Sequence, residues 1–382
     1  VSWAIWITGL PASGKSVLAR AAADELHATG DRVVVLELDE IRTVLTPSPT
    51  YSETERDVVY RALVYMAAAL VDAGMPVIID ATAHRRAWRD LARAQIPRFA
   101  EIQLVCPLEV CLERERHRTP SHAPRGIYAR AGQLGAVVPG IDVPYEPARS
   151  PELTIDTGLE ATDPAARRIA ALARKLAEAS KPASTSSPAW AIWITGLPGS
   201  GKTTLAWSAA EALSTRSIRV RVLELAEVRH ALLEDRPESD ATREIVHRAL
   251  AYTAKLLTDA GVAVIVDATS PRRAWRELAR DLITHFAEVQ LVCPREICIE
   301  RERATRWHLG PRSLTRHSMA PTTSGPDVVL DYEAALHPEL TLHTDTHDPW
   351  EAVEALARLA LRLHRAAAVD DYGQARRPSA GF

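Results

Sequence analysis

Eight residues near the N-terminus carry the plainest chemical signal in the chain. Gly9, Leu10, Pro11, Ala12, Ser13, Gly14, Lys15 and Ser16 read G-x-x-x-x-G-K-[ST]. Glycines at those places let backbone amides curl around phosphate oxygens, and a helix starting there adds the positive end of its dipole. Lys15 is spaced to reach the β- and γ-phosphates of a nucleoside triphosphate, and the Ser16 hydroxyl to ligate Mg²⁺. The context agrees: Ala4–Thr8 is a short apolar strand, and 16–29 reads as a helix with Leu18, Ala22 and Leu26 on one face. The pattern returns 187 residues downstream, with Gly196, Gly199, Ser200, Gly201, Lys202 and Thr203 in the equivalent places. A glycine turn that only resembles a phosphate loop is not expected twice.

A second group of residues follows the predicted strands. Asp39 comes just after the strand 32–38, where it can face the γ-phosphate. A carboxylate there serves as base toward an acceptor hydroxyl or holds Mg²⁺; its structural alternative is the N-cap of the next helix. Arg42, one turn on, suits an anionic acceptor. Val77–Asp80 ends in a carboxylate that either joins the Mg²⁺ shell or serves as a structural hydrogen-bond acceptor. Arg85, Arg86, Arg89, Arg114, Arg116 and Arg118 divide between a solvated helix face and a lid whose arginine would stabilise a transferring phosphoryl group.

These residues need a scaffold, and the sequence describes one domain written twice. Arg42, Arg56, Asp80, Trp88, Cys106 and Tyr145 recur as Arg229, Arg243, Asp267, Trp275, Cys293 and Tyr332, all at the same offset. About two domains are expected at 382 residues. We expect domains at 1–178 and 189–368, a Ser/Pro-rich linker at 179–188 and a disordered tail at 369–382. Within each repeat strands alternate with helices: strands at Ala4–Thr8, 32–38, Val77–Asp80, 102–106 and Leu153–Asp156, helices near 16–29, 55–73, 85–95, 107–117 and 163–179. Near-continuous apolar strands predict an α/β class, each domain a mostly parallel sheet flanked by helices, with ligands at the carboxyl ends of its strands.

Composition sets the bounds. A net charge of −3 gives no basic excess for nucleic acid. Lysine occurs only at 15, 175, 181, 202 and 255, so each loop keeps one in a lysine-poor chain. Cys106, Cys111, Cys293 and Cys298 form a repeated pair expected to be buried and reduced, without the partners a zinc site needs. No signal peptide or membrane span is visible, so a cytoplasmic location is expected.

Beyond the loop, the first repeat resembles the adenylylsulfate (APS) kinase family over nearly its whole length. Leu36–Arg42 is similar to L-D-G-D-N-I-R, 51–56 to F-S-x-x-D-R, and 99–113 to F-x-E-V-x-V-x-x-P-L-E-V-C-E. Residues 125–131 are similar to K-G-L-Y-K-K-A, and 140–146 to G-I-D-x-P-Y-E. The resemblance implies transfer of the ATP γ-phosphoryl group to the 3′-hydroxyl of APS, giving 3′-phosphoadenylyl sulfate (PAPS) and ADP, with Mg²⁺. It implies Asp39 as base, Arg42 and Arg56 on the phosphosulfate, and Tyr51 stacked on the acceptor adenine. Arg125 stands where the lid lysine does, and Tyr128 joins the substrate site. Five departures fall mostly on the acceptor side: Glu37-Leu38 for D-G, Val59 for an acceptor-binding Asn, Thr82-Ala83-His84 for I-S-P, Val138 near an expected aromatic, and extra residues between Arg116 and Arg125. Asp80-x-Thr82 followed by Arg also resembles polynucleotide-kinase-like P-loop kinases, which makes another small-molecule or nucleotide hydroxyl the alternative acceptor.

The second repeat is not an equal copy. Ala226 replaces Asp39, Glu238 replaces Tyr51, and 312–315 and 327–329 lose the two signature segments, whereas Thr269-Ser270-Pro271 lies closer to I-S-P. We expect this half to bind nucleotide and to transfer phosphate poorly, unless Glu224 or Glu227 substitutes for the missing carboxylate. Taken to its limit, that makes a non-catalytic regulatory nucleotide-binding protein a third reading. APS kinases are commonly dimers, so a pseudo-dimer of the two repeats or a homodimer is expected.

Overall fold

Apolar strands without a polar face have to be covered on both sides, and the two five-residue runs AIWIT are therefore central. β1 (Ala4–Thr8) and β6 (Ala191–Thr195) are buried along their whole length. The computed structural model describes residues 2–117, 126–132, 137–178, 188–234, 236–308 and 331–375. The chain divides into two compact units, Val1–Ser184 and Thr185–Phe382. The linker expected at 179–188 lies, but for its last residue, outside the described residues.

In the first unit β1 is followed by α1 (Lys15–His27), β2 (Val34–Glu37), α2 (Leu38–Leu45), α3 (Glu53–Asp72), β3 (Val77–Asp80) and α4 (Arg86–Gln95). Then come β4 (Phe99–Val105), α5 (Leu108–Arg116), a 3₁₀ turn at Tyr128–Arg130, β5 (Leu153–Asp156) and α6 (Thr162–Ala177). The sheet runs β2-β3-β1-β4-β5, every pairing parallel. Because Glu37 pairs with Asp80 and Asp80 with Ile7, the strands end together and the residues after them meet at one edge. The apolar faces of α1 and α6 pack on Ile5, Ile7, Ile78 and Ile102, burying Leu18, Ala22, Leu26 and Ile169. Trp6, completely buried, donates its indole N–H to the Ala81 carbonyl (3.0 Å). β4 begins three residues earlier than its expected start, at Phe99, because Phe99 and Ala100 extend the pairing with β1.

The second unit repeats this order with β6, α7 (Lys202–Ser214), β7 (Val220–Glu224), α8 (Leu225–Leu233), α9 (Asp240–Asp259), β8 (Ala263–Asp267), α10 (Arg273–Leu282), β9 (Phe286–Val292), α11 (Arg295–His308), β10 (Leu340–His343) and α12 (Pro349–Ala375). Its parallel sheet reads β7-β8-β6-β9-β10. The tail expected to be disordered from 369 is corrected in part: α12 continues to Ala375, with Ala367 buried near its end.

One buried ion pair joins the pieces around each sheet edge. Arg89 on α4, with no exposed surface, meets Glu101 of β4 at 2.6 Å and donates to the carbonyls of Ala83 and Glu146, the latter at 2.5 Å. Arg276 repeats this with Glu288 (2.6 Å), the Ser270 carbonyl (2.5 Å) and the Glu333 carbonyl (2.6 Å). The expectation that Arg89 belongs to a solvated face is thereby overturned, since it points inward from a helix whose other arginines are partly exposed. Removing one partner strands a charge in the interior. Glu101→Leu should therefore cost about 3–5 kcal/mol, read as a lowered urea midpoint for the first unit, and Arg89→Met added to it should recover most of the loss.

Where α3 meets α4, Tyr60 stacks on Trp88 (4.0 Å) and His84 meets the Trp88 edge (5.2 Å); in the second unit His247 stacks on Trp275 (3.8 Å). Burial, then the charges of Arg56 and Arg85, brings His84 down to about 4. Burial, then Arg243 and Arg229, brings His247 down to about 3. Both rings are neutral in the folded chain at pH 5, whereas an unfolded chain protonates its histidines near 6.5. Stability is therefore fully present above 6.5 and falls as pH drops from there toward 4 and 3. An NMR titration of the imidazoles should show both midpoints well below 6.5; either ring protonating near 6.5 contradicts this packing.

Candidate active site

The loop after β1 is shaped by its glycines. Gly14 precedes α1 at φ 99° and Gly201 precedes α7 at φ 93°, a left-handed conformation that other residues adopt at a cost. A Cβ on Gly9 would lie 2.8 Å from Ser13 Oγ and 2.9 Å from Leu104 Cβ. The Ser13 amide donates to the Leu10 carbonyl (3.1 Å), closing the turn. Lys15, buried, lays its ammonium on the carbonyls of Gly9 (3.2 Å) and Leu10 (2.9 Å). Lys202 does the same with Gly196 (3.1 Å) and Leu197 (2.9 Å). At the end of β3, Asp80 is 6% exposed and lines the cleft with Ser16; in the second unit the Thr203 hydroxyl donates to Asp267. Burial raises the Asp80 carboxyl above its usual range, against the opposing pull of Lys15 and Ser16. Asp80 borders the phosphate loop, as both readings of it require.

A cleft of about 920 Å³ opens over this loop. Pro11, Ala12 and Gly14–Leu18 line it together with Asp39, Arg42, Tyr51, Arg56, Tyr60, Asp80 and His84. Asp39 lies in the first turn of α2, whose N-cap is Glu37, so the capping reading of Asp39 is corrected. Glu37 instead holds Arg20 (2.7 and 2.8 Å).

The segment ahead of α3 is built around Glu55. Ser52 caps the helix by accepting from the Glu55 amide (3.2 Å). The buried Glu55 carboxylate accepts from the amides of Thr50 (2.7 Å) and Tyr51 (3.1 Å) and lies 3.6 Å from Arg42. These bonds hold Tyr51 at φ 54°. Its ring then lies within 5.5 Å of the Arg42 guanidinium and 5.7 Å of that of Arg56. Arg56 donates to the carbonyls of Tyr51 (2.9 Å) and Val137 (3.3 Å). Burial, then the like charge of Arg42, lowers the Arg56 pKa, so an anion brought between the two guanidiniums would be attracted by both.

The remaining expected residues fall elsewhere. Tyr128 is buried and does not line the cleft. Its hydroxyl donates to the Pro11 carbonyl (2.8 Å), which makes it a support of the loop. Asp142 of the G-I-D segment accepts from the amides of Gly132 and Val138 (2.9 Å each), again a structural role. Val59 is completely buried, whereas Val138 borders the cleft. Arg125 and Arg118 lie outside the described residues. The cysteines are free thiols, with Cys111 pushed up to about 12 by burial and by Cys106.

Of the arginines expected to divide between a solvated face and a lid, Arg114 lines the cleft, and sequence reasoning passed over its partner Thr157. Arg114 donates to the Thr157 carbonyl (2.6 Å), and Thr157 donates to the Ser13 carbonyl (2.8 Å), tying the ends of α5 and β5 to the phosphate loop. Arg130 and 160–162 line the cleft as well. Two signals were available: the Ser52-x-x-Glu55 spacing of a capping box, and the recurrence of Arg114 and Thr157 as Arg301 and Thr344. Among the described residues no cluster of three or more His, Cys, Asp or Glu could hold a metal, and no helix is long and apolar enough to cross a membrane.

Known proteins match each unit separately. The family model for adenylylsulphate kinase matches residues 1–156 and again 188–342. The probable adenylyl-sulfate kinase of Archaeoglobus fulgidus is 37% identical over 159 residues, which cover 41% of this chain and 97% of that protein. The adenylyl-sulfate kinase of Rippkaea orientalis is 34% identical over 180 residues, 47% of this chain and 94% of that one. Among solved structures, the Mycobacterium tuberculosis APS kinase CysC in complex with AMPPNP and APS aligns at 29% identity with a TM-score of 0.40, over 45% of this chain and 98% of that one. Relatives of this kind are spanned almost end to end by less than half of the chain. With the phosphate loop, its Lys and Ser, the carboxylates after β2 and β3 and the paired arginines joined in one cleft, and with the family model matching both halves, the chain belongs to the adenylylsulphate kinase family and carries that family's domain twice.

Proposed function

We propose that the chain is an adenylyl-sulfate kinase, transferring the γ-phosphoryl group of ATP to the 3′-hydroxyl of adenylyl sulfate to give PAPS and ADP, with its chemistry in the first unit. The observation that carries this is the single cleft shared by Lys15, Ser16, Asp39 and the Arg42–Tyr51–Arg56 group. The family match and the names of the relatives support the acceptor.

Each residue has a physical task. The loop amides and Lys15 hold the triphosphate and neutralise charge as it shifts from the γ- to the β-phosphate. The hard oxygen donors of Ser16 and Asp80 fit Mg²⁺, which needs few protein ligands when phosphates supply the others. Bound there, Mg²⁺ would supply further charge neutralisation on the phosphates. Asp39 takes the proton from the acceptor hydroxyl. Arg42 and Arg56 bind the phosphosulfate, and Tyr51 between them offers its ring to the adenine. The chemistry is mainly positioning, which suits a site whose supports are buried.

Incubation with Mg-ATP and adenylyl sulfate, followed by chromatography, should yield PAPS. Asp39→Asn should lower kcat by about 100-fold or more, the range for loss of a general base. Arg56→Ala removes charge-assisted hydrogen bonds and should raise KM for adenylyl sulfate about 10- to 100-fold, with a smaller effect on KM for ATP. A well-folded chain that binds ATP yet makes no PAPS, and that phosphorylates a different hydroxyl, would defeat the reading.

A further inference from the structure

The two units differ in a way that separates nucleotide from acceptor. We propose that the second unit is a nucleotide-holding site without an acceptor: it binds a Mg-nucleoside triphosphate at Gly196–Thr203 and neither takes an anionic acceptor nor transfers phosphate to one.

The contacts of the lysine and the threonine after β10 with the loop are kept, and so is that of the α11 arginine with the threonine. Lys202 rests on the same two loop carbonyls as Lys15, within 0.1 Å. Thr344 donates to the Ser200 carbonyl (3.0 Å) and Arg301 to the Thr344 carbonyl (2.8 Å), as Thr157 and Arg114 do in the first unit. The Thr203 hydroxyl donates to Asp267, and Lys202 is only 8% exposed beside them. A buried ammonium next to a loop of left-handed glycines and a hydroxyl–carboxylate pair is built for a phosphate chain and its cation.

The acceptor side is taken apart, and what replaces it occupies the arginine left there. Ala226 stands for Asp39 and can accept no proton. Glu238 stands for Tyr51, and its carboxylate lies 3.5 Å from Arg243, the counterpart of Arg56. Asp240 meets the same guanidinium at 3.0 Å. These pairs are partly exposed and contribute little stability; what matters is that they occupy the guanidinium. Arg243 is already paired with two carboxylates, so an incoming anion has to displace them, whereas Arg56 in the first unit donates to the carbonyls of Tyr51 and Val137. Thr242 replaces Glu55 and closes a capping box with Ser239, leaving no ring held over the arginines. The two acids near Ala226 are engaged: Glu224 accepts from the Trp207 indole (2.8 Å) and Glu227 pairs with Arg221 (3.6 Å).

The test uses the full chain, and only its acceptor arms rest on the reading of the first unit as an adenylyl-sulfate kinase. Calorimetric titration with Mg²⁺ and AMPPNP should give two sites per chain, falling to one in Lys202→Ala. Thr203→Val, an isosteric change, should weaken the second site at least 10-fold should Lys202→Ala fail to fold by circular dichroism. Fewer than two sites in the wild type overturns the proposal. Adenylyl sulfate dialysed against the ADP-loaded chain should reach one equivalent; two equivalents overturn it. The double variant Lys15→Ala/Asp39→Asn isolates any transfer by the second unit. PAPS formation below a thousandth of wild type is expected, and more than a tenth overturns the proposal. A wild type inactive toward adenylyl sulfate defeats the reading of the first unit, and the nucleotide count alone then decides this one.

Discussion

A guanidinium with no exposed surface must have its charge met from within, and the way Arg89 achieves this organises the active edge of the sheet. Its partners come from three separate stretches: Glu101 in β4, the Ala83 carbonyl after β3 and the Glu146 carbonyl of the late loop. The guanidinium also lies 5.5 Å from the centre of the Tyr145 ring, whose hydroxyl pairs with Thr8 (2.9 Å) at the root of the phosphate loop. A planar fork of donors can bind segments of different direction at once, which an ammonium cannot. The strand ends, the α4 helix and the loop that follows Val143 are therefore held as one piece.

That constraint explains why the two units diverge where they do. The Arg276–Glu288 pair, its carbonyl partners and the Tyr332–Thr195 contact repeat the first unit nearly atom for atom. A change in such a network leaves a buried charge without a partner and unfolds the edge. Positions facing the cleft carry no such penalty. Tyr51 becomes Glu238 and Asp39 becomes Ala226 without disturbing a strand. Tyr60 and Ala83 become His247 and Ser270, and the bond from the Ala83 amide to the Tyr60 hydroxyl gives way to one between the Ser270 hydroxyl and the His247 ring. Fold and chemistry are thus supported by separable sets of residues, and one set can drift while the other stays.

The site also depends on strain held locally. Tyr51 occupies a left-handed backbone conformation because the Glu55 carboxylate accepts from the successive amides of Thr50 and Tyr51. The same carboxylate approaches Arg42, so a single buried acid sets both the ring and one of the arginines that flank it. The second unit, with Thr242 in that place, keeps the helix start and loses this arrangement.

Much of this was written in the linear chain. The phosphate loop is contiguous, its glycines and lysine act through backbone and neighbours in sequence, and its duplication at a constant offset announces two α/β units. Central strands such as Ala4–Thr8 are recognisable because they have no polar face. What the chain could not reveal by itself was the destination of side chains whose partners lie far away in sequence. Arg89 and Arg86 look alike on a helix, yet one is enclosed and the other 26% exposed, because only the packing of α4 on β4 gives them different surroundings. Tyr128 and Asp142 sit in segments that look like recognition motifs, and the fold turns them toward the backbone they support. Arg114 and Thr157 acquire their place at the cleft only when β5 lies beside β4. Local conformation follows from residue type and spacing; burial and long-range pairing are decided by which surfaces the completed fold brings together.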